Sequence, residues 1–170
     1  MIEPLLEDGR WSARHMVLDW EKIANLWTRV QAINALFSDL TKNDFDNFVN
    51  ALTSKNTLWF EICEGDEVVG LLWLTDVHMI VDAVAHMMFL DSKPSEKKPI
   101  VKKLIKWTFE NFPLQRITTF VPETYHTTKR LTLELGFRFE GCKREAVMLK
   151  GKWRDLMMYG ITRSFVERIT

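Results

Sequence analysis

Three ionisable side chains, His78, Asp82 and His86, recur at every fourth position of an otherwise largely apolar run, His78–Leu90. Alternation along a strand places them on one face, together with Met88. An imidazole there titrates close to neutral pH and can take a proton from an ammonium group, which makes His86 a candidate general base. Asp82 is a second candidate. Four strand residues span about 13 Å, however, so the two cannot share a proton unless a bulge brings them together. Glu123 and His126 stand at the start of a later helical segment and are further acid–base candidates; a carboxylate at Glu123 is also what a helix dipole favours. Ser95, Lys97 and Lys98 open an amphipathic helix, where first-turn amides and two ammonium groups suit an anion. Each group has a plain structural alternative: a hydrogen-bonded histidine of the sheet interior, or Ser92 or Ser95 capping a helix with a solvated basic face. No spacing of His, Cys, Asp and Glu suggests three or four metal ligands.

The elements that must position these groups follow from periodicity. Trp20, Ile23, Leu26, Trp27, Val30 and Ile33 recur at helical spacing behind a capping Asp19. Thr41-Lys42-Asn43-Asp44 resembles a capping box, and Phe45, Phe48, Val49 and Leu52 give the next helix an apolar face. Leu58–Cys63 and Val68–Leu74 read as strands about a Glu64-Gly65-Asp66 turn, and Met79–Leu90 as a third strand. A helix then runs to Asn111, with Ile100, Val101, Leu104 and Ile105 among its apolar positions, and Phe112-Pro113 ends it. Arg116–Val121 is a β-branched strand, and Pro122–Leu135 a helix stopped by a left-handed cap at Gly136. Phe137–Leu149 and Trp153–Arg163 form a hairpin about Lys150-Gly151. This order predicts an α/β (α+β) fold: one domain over 1–170, a mixed central sheet flanked by helices on both faces.

The 170 residues carry 23 basic and 23 acidic side chains. Zero net charge argues against a general nucleic-acid or membrane-surface binder. Cys63 and Cys142 are too few for a disulfide framework. No apolar run reaches transmembrane length, and the acidic start MIEPLLEDGR does not suit a signal peptide. A cytoplasmic setting is the expectation. None of the seven glycines lies between Leu71 and Leu135, which excludes a glycine-rich phosphate loop from the middle of the chain.

The segment Leu131–Arg163 resembles the GNAT N-acetyltransferase superfamily, most of all the branch that acetylates protein N-termini and small amines. The matching residues are Leu135-Gly136-Phe137, Glu140-Gly141 and Gly151-Lys152-Trp153-Arg154-Asp155, with Arg144 at a position that is often basic. These residues mainly shape the fold: a helix stop, a core ring and a braced turn. The resemblance implies acetyl-CoA in an opening between two diverging strands, with an amine as acceptor and no covalent enzyme intermediate. It implies backbone donation to the thioester oxygen from the strand end at Met88 and Leu90. Diphosphate would be held near Ser95, Lys97 and Lys98, beside a small helical residue at Thr128. His86, nearer the opening, is the base it favours, with Asp82 and Glu123 as alternatives. Where the family has a phosphate-loop glycine pair and a proton-donating Tyr, this chain has Lys93-Pro94-Ser95 and Thr132. A second expectation follows: a GNAT-like scaffold without the chemistry, serving as a binding or assembly protein for a protein partner, as occurs among tailed bacteriophages.

Overall fold

A computed structural model describes residues 3–31, 44–77, 81–90 and 94–169. His78, the strand start at Met79, the capping Ser92, Ile33 and the Thr41–Asn43 part of the capping box lie outside the described residues.

Eight strands form one mixed sheet in the order β1-β2-β3-β4-β5-β6-β8-β7. They are β1 (Leu6–Asp8), β2 (Trp11–His15), β3 (Leu58–Glu64), β4 (Glu67–Thr75), β5 (Asp82–Phe89), β6 (Arg116–Pro122), β7 (Arg138–Leu149) and β8 (Lys152–Thr162). Helices α1 (Trp20–Gln31) and α2 (Phe45–Thr53) pack on one face; α3 (Lys98–Asn111), α4 (His126–Glu134) and α5 (Arg163–Ile169) contribute to the core on the other. The mixed sheet with helices on both faces is as the sequence predicts. All strand pairs are antiparallel except β5 with β6.

The two cores follow from strand alternation. Phe60, Ile62, Leu72, Leu74 and Ala83 point towards α3, whose Ile100, Val101, Leu104 and Ile105 are buried against them. Leu71 and Met88 point the other way, towards Ile23, Leu26 and Val30 of α1 and Phe48 and Leu52 of α2. Asp44 itself caps α2, accepting from the Asn47 N–H at 3.0 Å, so the capping motif sits three residues later than its first threonine suggested. Gly136, at φ +101, closes α4: its N–H reaches the Leu133 carbonyl and that of Phe137 the Thr132 carbonyl.

Several expectations are corrected. The β1–β2 hairpin adds to the predicted elements: its strands are three and five residues long, too short for the burial of Trp11 and Ala13 to stand out as a pattern. Trp20 opens α1 but is exposed, so the core stripe begins at Ile23. Pro122 belongs to β6, which delays α4 to His126. The chain past Thr162 forms α5, burying Val166.

The carboxylate of Glu61, fully buried in β3, ties three elements together. It accepts from Arg14 Nε of β2 at 2.8 Å and from Lys22 Nζ of α1 at 2.7 Å. Next to it, burial pushes the Cys63 thiol up to about 11. Glu61→Ala would leave two cations facing a buried gap. It should cost about 3–5 kcal/mol of unfolding free energy in urea titration, and a loss below about 1 kcal/mol would show that water solvates both cations.

Candidate active-site cleft

Strands β5 and β6 pair over three rungs only: Asp82 with Arg116, Ala83 with Ile117 and Val84 with Thr118. Beyond that point β5 stays on β4 as far as Phe89, while β6 stays on β8 as far as Pro122. The sheet therefore opens into a V, and the start of α4 lies across its mouth. The resulting cleft measures about 630 Å³ and is lined by β5 from Ala85 to Phe89, β6 from Thr119 to Pro122, and α4 through His126, Thr128 and Leu131.

The backbone of β5 presents hydrogen-bonding groups to this space, and the register says which. The Leu90 N–H donates to the Val69 carbonyl at 2.9 Å. Antiparallel alternation then directs the Met88 amide to Leu71, its partner on β4, and turns those of Met87 and Phe89 towards the cleft. This corrects the assignment of Met88 and Leu90 as backbone donors. Hydrophobicity locates the strand, but the phase of its amides depends on the partner strand. The Met88 side chain is in the α1–α2 core.

His86 lines the cleft. Its ring stacks on Trp73 of β4 with centroids 5.1 Å apart, and its Nε2 lies 3.0 Å from Thr75 Oγ1. Burial pushes its pKa below the usual histidine value, with the Asp76 carboxylate acting weakly the other way. Asp82 is held at the closed end of the V, where Thr118 Oγ1 donates to it at 2.8 Å and Arg116 Nε lies 3.5 Å away. Arg116 also pairs with Glu140. Asp82 and His86 are thus not brought together. Glu123 faces Arg154 at 3.5 Å, and its N–H donates to the Asp155 carbonyl, so it braces the turn before α4 beside the cleft.

Around the helix that begins with a 3₁₀ turn at Pro94–Lys97, the three expected anion ligands separate. Ser95 is exposed at the turn. Lys97 is fully buried, its Nζ 4.7 Å from the Trp11 ring centroid and 5.5 Å from that of Phe89. Lys98 reaches across to Glu134 of α4 at 2.8 Å. Glu96 pairs with Arg10. The N-terminal hairpin thus fastens this turn down through Trp11 and Arg10, an arrangement the sequence does not disclose because it depends on two strands remote in the chain.

Thr128 lines the cleft as expected, and its carbonyl accepts from Thr132 Oγ1 at 2.9 Å. The Thr132 hydroxyl is satisfied within the helix. Tyr125, immediately before α4, lines the cleft and is one of only two tyrosines; the other, Tyr159, is in the core. With Trp73 and Phe120 it adds rings that sequence reading missed to a lining that also holds the candidate His126. The available signal was position alone, since residues just past the C-terminal end of a strand border such openings. No helix of the described residues is long and apolar enough to cross a membrane.

No family model matches the sequence, and no curated protein matches it. Solved structures do. The spermidine N-acetyltransferase of Vibrio cholerae in complex with CoA and spermine is similar with a TM-score of 0.78 at 15% identity, over 94% of this chain and 99% of that one. A dodecameric structure of the V. cholerae enzyme in an intermediate state gives 0.73 at 16% identity, over 92% and 96%. A chimera of that enzyme and hSSAT gives 0.78 at 14%, over 93% and 98%. Splayed strands, flanking helices and closing hairpin together give this chain the fold of the GNAT acetyltransferases.

Proposed function

We propose that the chain is an acyl-CoA-dependent N-acyltransferase that moves an acetyl group to an amine, such as a small amine or a protein N-terminus. The observation that carries this reading is the cleft: beyond Val84 the β5 edge turns away from β6, on a fold shared with an acetyltransferase solved with CoA. Acetyl-CoA, when bound, supplies the activated acyl group. The free edge and apolar lining of β5 suit its pantetheine arm. Ser95 and the remaining amides at the start of α3 are left to hold the diphosphate, because Pro94 and Pro99 lack an N–H and the Lys97 and Lys98 side chains are committed elsewhere.

The amides of Met87 and Phe89, which face the cleft, would be the donors to a thioester oxygen gaining charge. Burial keeps His86 neutral, so it is ready to act as a base at neutral pH. With Nε2–H donating to Thr75 Oγ1, the lone pair on Nδ1 takes the proton from the acceptor's ammonium group. Tyr125, which lines the cleft, would be the proton donor to the leaving thiolate, a role the internally bonded Thr132 hydroxyl is too weakly acidic to fill. Asp82 and Glu123 hold the base of the V and the turn before α4. The second reading, a GNAT-like scaffold for a protein partner with no transfer chemistry, is favoured by one observation: two of the lysines expected at the diphosphate are committed elsewhere.

Calorimetric titration with acetyl-CoA and desulfo-CoA separates the two. The acyltransferase should bind with a Kd of about 10–100 μM, and no heat at millimolar ligand would leave the scaffold reading standing. His86→Ala should lower kcat/KM about 10²–10⁴-fold and Tyr125→Phe about 10–100-fold; unchanged turnover removes the role concerned. A further expectation concerns stability. Above pH 6.5 the His86 imidazole is neutral in both folded and unfolded chains. As pH falls below that value, the unfolded chain takes up a proton that the folded chain resists, so stability is lost down to the folded-state pKa. Urea denaturation between about pH 7.5 and about pH 5 should show this loss, and His86→Gln should reduce it. Equal slopes in the two proteins would mean that the imidazole is solvated.

A further inference from the structure

On the face covered by α1 and α2, three flat side chains stand in line across three strands. Trp59 of β3 is paired with Trp73 of β4, and Trp73 with His86 of β5. Their rings stack with centroids 4.6 and 5.1 Å apart and interplanar angles of 18° and 12°. Those separations match the ~4.8 Å spacing of neighbouring strands, so each strand contributes one ring to a continuous stack.

The next strand is β6, and its three rungs with β5 keep a constant offset of 34 residues: 116 − 82, 117 − 83 and 118 − 84. Continued by two residues, that offset would set Phe120 opposite His86. The ladder stops first, at Val84 and Thr118. Phe120 lies instead on the opposite wall of the cleft, and Trp73, His86 and Phe120 all line it. The ring stack therefore runs up to the opening, where the strand ladder has stopped, and a ring stands again on the far side. Lys143 Nζ stands 4.2 Å from the centroid of Phe120. Among the described residues that line the cleft, none is Asp or Glu.

We propose that the acceptor continues the stack, and that it is an arylalkylamine: one aromatic ring, stacked between His86 and Phe120, carrying one primary amine. This rests on the acyltransferase reading and narrows its substrate. Stacking holds the ring without requiring a charge, and the amine-bearing arm lies beside the imidazole that takes its proton. A polyamine offers no ring for the slot, and on the Phe120 wall its further ammonium groups would meet the Lys143 cation.

With acetyl-CoA and the whole chain, kcat/KM should be about tenfold or more higher for 2-phenylethylamine than for hexylamine or spermidine. Phe120→Leu keeps an apolar side chain and removes the ring. It should reduce the preference for phenylethylamine over hexylamine about 3- to 10-fold, the size of a stacking contribution. Equilibrium dialysis of the same two amines with desulfo-CoA present reads the ring slot without turnover. Tighter binding of phenylethylamine that Phe120→Leu weakens, with no amine acetylated, supports the slot and overturns the acyltransferase reading. Acetylation of hexylamine and phenylethylamine at equal efficiency overturns the slot and leaves the acyltransferase. Failure of phenylethylamine to bind, or a preference untouched by Phe120→Leu, also overturns it.

Discussion

Three rungs of parallel pairing between β5 and β6 are the constraint on which the rest of the molecule depends. Each strand has a fully paired neighbour on its other side, β4 for one and β8 for the other, so neither can follow its partner once the two diverge. Unpaired backbone groups are costly when buried away from any partner. Here they border a cleft, where water or a ligand can satisfy them. The same divergence decides which amides are offered. The alternation set by β4 turns Met87 and Phe89 to the opening and withholds Met88 and Leu90.

Charge is spent mostly on holding elements in place. Glu61 joins β2, β3 and α1; Asp82, Arg116, Thr118 and Glu140 lock the closed end of the V; Lys98 joins α3 to α4. What lines the cleft is rings, threonines and apolar side chains, with His86 and His126 among the rings. One cost of the ring stack is visible: Trp59 Nε1 is buried with no hydrogen-bond partner among the described residues. Where the resemblance implies a glycine pair, the chain has Pro94 and Ser95, and the turn they open is fastened by Trp11 over the inward-turned Lys97.

The long elements were legible because their periodicity is strong and local. Val68–Leu74 read as a buried strand, the stripe on α3 named its core face, and Gly136 and Lys150-Gly151 marked a helix end and a turn that the backbone confirms with positive φ. Single side chains were less legible. His86 stands out as an ionisable group in an apolar strand, and the family resemblance sets it near the opening, but its Trp73 and Thr75 neighbours come from register with β4. Lys97 and Lys98 look alike in sequence, yet one packs beneath an indole and the other bridges two helices. The amide phase of β5, the role of Arg116 and the position of Phe120 opposite His86 all require knowledge of which strands are neighbours. No local pattern contains that knowledge.

The narrow junction also bears on how distant changes reach the cleft. On one side of it lies an antiparallel meander, β1 to β5, in which every strand pairs with the next in sequence; on the other lies β6 with the β7–β8 hairpin. The halves are joined in the sheet by three rungs alone, so the cleft exists only where both are folded and docked. A substitution that loosens either half therefore disturbs the opening without touching a residue that lines it.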